Sequence, residues 1–78
     1  MKELLAAIVK EMVDNPEAVT VNQVEGQSTI VLKLKVAKKD MGLIIGKGGR
    51  NIAAVRTIMI AAAAKMKKRI IVDLVDSE

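Results

Sequence analysis

The 78-residue chain contains no cysteine, no histidine and no phenylalanine, tyrosine or tryptophan. Without cysteine there is no disulfide framework, no thiolate metal site and no cysteine nucleophile. Without histidine the commonest general base and metal ligand is missing too. Without aromatic rings the core must be built from Ile, Val, Leu, Met and Ala, and bases cannot be held by stacking on rings. No apolar run approaches the roughly 18 residues that span a bilayer. Met1-Lys2-Glu3-Leu4 lacks a signal-peptide layout, so a cytoplasmic location is expected. The length suits one domain, residues 1–78, with a modest core and little room for a deep substrate pocket. Only two serines occur, Ser28 and Ser77, which makes an enzyme a poor reading. Neither a metal nor any other cofactor is expected.

What is present is unevenly distributed charge. Residues 1–30 hold two lysines against five carboxylates, net −3. Residues 31–72 hold eleven cations against Asp40 alone, net +10, and the last six residues are again −3. A basic middle between acidic ends suggests a polyanion site on one part of the surface.

The hydrophobic pattern orders the elements. Leu4, Leu5, Ile8, Val9 and Met12 predict a helix over 2–14, stopped by Asn15-Pro16. Residues 18–25 are β-rich but alternate imperfectly, because Val24 falls opposite Val19 and Val21. A bulge near Asn22-Gln23 or an early strand end would reconcile them. After Gly26-Gln27, residues 28–37 alternate cleanly, with Ile30, Leu32, Leu34 and Val36 inward and Lys33 and Lys35 outward. Asp40 suits an N-cap for a short helix over Met41–Ile45. Residues 50–66 predict a long helix with Ile52, Val55, Met59, Ala62 and Met66 on its core face. Lys65, Lys67 and Lys68 suit its C-terminal dipole. Residues 69–75 predict a last strand, and 76–78 a frayed tail.

Between the two later helices lies Gly46-Lys47-Gly48-Gly49, with Arg50 at its exit. Glycines admit a backbone or ligand closely, and the start of the next helix favours an anion. A P-loop reading fails, with Met41 where Gly is needed and Gly48 where Ser or Thr is needed. A dinucleotide fingerprint fails at Asn51. A Gly-x-x-Gly turn between helices fits instead the clamp that holds about four single-stranded nucleotides. In this reading Ile45, Gly46, Lys47, Gly48, Gly49, Arg50 and Asn51 contact the single strand, RNA or DNA, and Ile44 and Ile52, with Ile45, line an aliphatic groove for bases.

Gly42-Leu43-Ile44-Ile45-Gly46-Lys47-Gly48-Gly49-Arg50-Asn51-Ile52 resembles the KH signature. Nearly the whole chain, including Val13-Asp14-Asn15-Pro16-Glu17, is similar to the small bacterial single-KH proteins of the KhpA type. The resemblance implies an α+β, type II KH domain. Its order would be helix-strand-strand-helix-helix-strand, with three helices on one face of a three-stranded mixed sheet. It also implies RNA binding, self-pairing, and a larger KH-containing partner of the KhpB type. Gly48 departs from the pattern, since such loops often carry a larger or charged residue there, and a glycine loosens the turn.

On the long helix, Ala53, Thr57, Ile60 and Ala64 form a second, uncharged stripe at helical spacing, the expected dimer interface. The function expected is non-catalytic clamping of short single-stranded RNA, in RNA-level regulation or as an RNA chaperone. The alternative is a module that pairs with itself or another KH protein, with RNA contact secondary.

Overall fold

A computed structural model describes residues 1–75. The elements are α1 (Lys2–Lys10), β1 (Thr20–Glu25), β2 (Thr29–Lys35), α2 (Met41–Ile45), α3 (Arg50–Ala64) and β3 (Arg69–Leu74). Short 3₁₀ turns occupy Pro16–Ala18, Lys38–Asp40 and Lys47–Gly49. The architecture is α+β in the expected order. The expectation for residues 76–78 lies outside the described residues.

β2 is the middle strand, antiparallel to β1 and parallel to β3. A parallel pair needs a long crossover, and here α2, the glycine turn and α3 supply it. The alternation of β2 places Ile30, Leu32 and Leu34 on the covered face, all fully buried. Side chains of this kind contribute about 1.5–3 kcal/mol each when fully buried. They pack with Val36, Ile70 and Val72 against Leu5, Val9, Ile44, Ile52, Val55, Met59 and Ala63 of the helices. The opposite sheet face is open and carries Lys33, Lys35, Arg69, Ile71 and Asp73.

Four expectations need correction. First, β1 contains no bulge and does not stop early: its ladder runs unbroken from Thr20 opposite Lys35 to Glu25 opposite Ile30. Val24 simply lies on the open face, exposed.

Second, α1 ends at Lys10, before the Asn15-Pro16 stop. Its last turn tightens, with the Met12 N–H donating to the Val9 carbonyl at 2.9 Å. Leu4, counted to the core face, is exposed.

Third, Asp40 makes no side-chain cap to α2. It is 1% exposed, and its carboxylate accepts the N–H of Asn15 at 3.0 Å and that of Asp14 at 3.4 Å. Those two amides are therefore directed at a carboxylate rather than at a continuing helix.

Fourth, α3 stops at Ala64, so Met66 lies beyond it and is exposed, while Ala63 takes the core position. Lys67 adopts φ 57°, its N–H donates to Ala64 at 3.0 Å and that of Lys68 to Ala63 at 3.2 Å. These are the paired bonds of a Schellman ending. It turns the Lys68 ammonium onto Glu25 at the end of β1, so Lys68 ties two elements together rather than serving only the helix dipole. The ammonium holds the Glu25 carboxyl below its usual 4.5. A depressed carboxyl stabilises above the unfolded value, and that contribution is lost as pH falls through the folded one.

Candidate nucleic-acid interface

α2 runs into Gly46, whose N–H donates to the Gly42 carbonyl at 2.9 Å. The chain then reverses through three glycines with positive φ: Gly46 at 73°, Gly48 at 65° and Gly49 at 80°. A Cβ on Gly46 would stand 2.5 Å from Cγ of Asn51. The Gly49 N–H closes the turn on the Gly46 carbonyl at 3.1 Å. Gly48 therefore suits a left-handed position inside a turn closed by a hydrogen bond.

Lys47, Gly48 and Arg50 are exposed at the tip. Among the described residues neither Lys47 nor Arg50 has an ion-pair partner. The amides at the tip divide into two sets. Those of Gly49 and Arg50 donate within the turn, to the carbonyls of Gly46 and Lys47. Those of Lys47 and Gly48 find no backbone acceptor among the described residues. The expected cradle of free helix amides is thus narrower. The groups here that could hold a phosphate are the two cations, two turn amides and the start of α3, which no side chain caps.

The remaining expected contacts separate. Asn51 is exposed, but its amide is already engaged: its Nδ2 donates to the Leu43 carbonyl at 2.8 Å and ties α3 to α2. Ile44 and Ile52 are core side chains, 0% and 7% exposed, and line no open groove. Packing against the covered sheet face takes both. The apolar surface beside the turn comes instead from Ile45, 39% exposed, and from Leu43, 42% exposed, which sequence reasoning passed over.

A second feature was also missed. A groove of about 450 Å³ runs between α3 and β3, lined by Arg56, Ile60, Ile70, Ile71, Asp73 and their neighbours. β3 is an edge strand. The N–H groups of Arg69 and Val75 donate to the carbonyls of Ser28, just before β2, and Leu34, so the alternate residues Ile70, Val72 and Leu74 turn their backbone groups outward. Nε of Arg56 donates to the Val72 carbonyl at 3.2 Å. Arg56 follows Arg50 along the same helix by about 9 Å at 1.5 Å per residue. Helical periodicity places Arg56 on the flank of α3, but no local signal sets β3 beside it.

The stripe Ala53, Thr57, Ile60 and Ala64 is exposed along its length. The Thr57 hydroxyl donates to the Ala53 carbonyl at 3.0 Å, so the stripe presents little unsatisfied polarity. Ile60, 56% exposed, belongs both to this stripe and to the groove.

Comparison with known proteins covers nearly the whole chain. Residues 2–74 match the family model described as KhpA/KhpB, KH domain. The chain is 52% identical over 75 residues to the RNA-binding protein KhpA of Caldanaerobacter subterraneus subsp. tengcongensis, covering 96% of this chain and 100% of the relative. It is 44% identical over 78 residues to the RNA-binding protein KhpA of Chlamydia pneumoniae, covering 100% of both. No solved structure matches. Among the described residues no helix is long and apolar enough to cross a membrane.

Proposed function

The chain belongs to the KhpA/KhpB KH-domain family, and on that premise we propose that it is a non-catalytic protein that clamps short single-stranded RNA. The observation that carries this is the turn from Gly46 to Arg50. Three positive-φ glycines bring the main chain to the surface between two cations with no ion-pair partner among the described residues. Phosphates contact the tip, and bases extend over Ile45 and Leu43 toward the groove beside α3. The role is RNA-level regulation or RNA chaperoning, in the cytoplasm.

The test is a titration of labelled single-stranded RNA at rising salt. Affinity should fall steadily, because each phosphate neutralised by Lys47 or Arg50 releases counterions at a log–log slope near −0.7 per contact on single strands. Salt-independent binding, or none, overturns the reading.

The uncharged stripe on α3 supports a dimer of this chain, or pairing with a larger KH-containing partner of the KhpB type, as the working form. Two weak clamps on one strand gain by avidity. Ile60 also lines the groove, so a substitution there would mix two effects. Ala64 lies on the stripe and outside the groove lining. Ala64→Gln inserts a longer polar side chain where two helices would approach closely. It should raise the dimer dissociation constant roughly tenfold or more by sedimentation equilibrium, an effect of about 1.4 kcal/mol. A wild-type chain that sediments as a monomer would remove the homodimer from the account. Partner binding that survives RNA-defective substitutions while cellular function persists would instead favour the interaction-module alternative.

A further inference from the structure

The α3–β3 groove contains one cation and one anion that do not pair with each other. Arg56 reaches the groove from α3 across the β3 edge and Asp73 from the open face of β3, and neither belongs to an ion pair among the described residues. Arg56 is held at one point. Its Nε donates to the Val72 carbonyl at 3.2 Å, and its two terminal nitrogens make no hydrogen bond among the described residues, which leaves a planar pair of donors for a ligand. The surrounding wall is aliphatic: Val31, Ile60, Ile70 and Ile71. A ligand suited to this slot is flat, apolar on its faces, and carries paired acceptors on one edge next to donors on another.

The nucleobases differ sharply on that criterion. Guanine presents O6 and N7 side by side, which matches the end of a guanidinium fork. Its N1–H and exocyclic amine lie on the adjoining edge and can both donate to a carboxylate. Adenine has no adjacent pair of acceptors. Uracil sets its one ring donor between two carbonyl oxygens, which would face a carboxylate unfavourably. Cytosine is the nearest rival, with N3 and O2 for the fork, but only its amine for the carboxylate.

We propose that Arg56 and Asp73 make this groove a guanine-selective subsite next to the phosphate-holding turn. The inference rests on the RNA reading given above and adds to it which base is preferred.

The test uses fluorescence anisotropy with labelled oligouridine carrying a single guanine, and the same strand with adenine, cytosine, inosine or 7-deazaguanine in its place. The guanine strand should bind the unaltered protein about tenfold more tightly than the adenine strand, within the range of one good bidentate contact. Removing N7 in 7-deazaguanine should erase most of that ratio, and removing the amine in inosine a smaller part. These arms need no variant, so they do not depend on any substituted chain folding. Arg56→Met and Asp73→Asn should each bring the guanine-to-adenine ratio toward one. Equal affinity for all strands, a preference for cytosine, or a guanine preference that survives Arg56→Met overturns the subsite and leaves RNA binding standing. Failure to bind any strand overturns the RNA reading itself.

Discussion

Replacing Lys47 and Gly48 together with aspartate is expected to lower affinity for single-stranded RNA by roughly 100-fold or more, with the fold intact. The double change removes one cation from the tip and adds two anions beside the path of the phosphates. A hydrogen bond to a charged group is worth about 1.5–3 kcal/mol, and each unit charge at 4 Å in water adds about 1 kcal/mol of repulsion. A factor of ten is about 1.4 kcal/mol, so these terms together reach two powers of ten or beyond.

The fold should tolerate the change. A Cβ on Gly48 meets no atom within 4 Å. Its φ of 65° and ψ of 18° lie in the left-handed region that aspartate adopts more readily than most residues. The cost is on the order of 1 kcal/mol. Anisotropy titration gives the affinity, and far-UV circular dichroism checks the fold. A natively folded variant that binds within twofold of the unaltered chain would remove the turn from the RNA site.

Gly46→Ala should act on stability. At φ 73° and ψ 175°, Gly46 occupies a region essentially closed to residues with a Cβ. The added methyl would also lie 2.5 Å from Cγ and 2.9 Å from Cβ of Asn51. Asn51 cannot swing aside without losing its 2.8 Å bond to the Leu43 carbonyl. Strain and clash together should destabilise by about 3 kcal/mol. A domain of this size is held by only roughly 0.05–0.15 kcal/mol per residue. The melting temperature should therefore fall by on the order of 10–20 °C.

The Asn51→Ala background relieves part of the clash. It removes Cγ and Nδ2 but keeps the Cβ at 2.9 Å and the backbone strain, so the double variant should lose less than the two single losses combined. Urea denaturation followed by circular dichroism measures all three. An unchanged midpoint for Gly46→Ala would mean that the turn does not have this geometry.

The order of elements was legible because each rests on a local signal. β2 alternates with period 2, α3 repeats near 3.6, and the glycines fall between two helical segments. The turn was legible for the same reason, since its glycines and cations are contiguous in the chain. What escaped was decided at a distance. Asp40 looks like a local cap, but its partners are Asp14 and Asn15, on the far side of two strands. Ile44 and Ile45 are adjacent and chemically identical, and only the packing of α2 into the common core decides which is buried. The α3–β3 groove depends on a strand edge and a helix flank that no sequence window contains together. Val24 misled because a period-2 pattern assumes that the second sheet face is polar, and here part of that face is aliphatic.

The mixed sheet has a consequence in time as well as in space. The β1–β2 hairpin joins neighbours in sequence and can form as soon as both strands exist. Thr29 can meet Arg69 only after α2, the glycine turn and α3 have all been made, and non-local parallel pairings of this kind are slow to close. During synthesis the last strand is therefore still unavailable when the glycine turn leaves the ribosome. α3 has no β3 to lie against, and Arg56 has no Val72 carbonyl to orient it. Among the described residues, the side of α3 that faces β3 is therefore among the last surfaces to take its final shape.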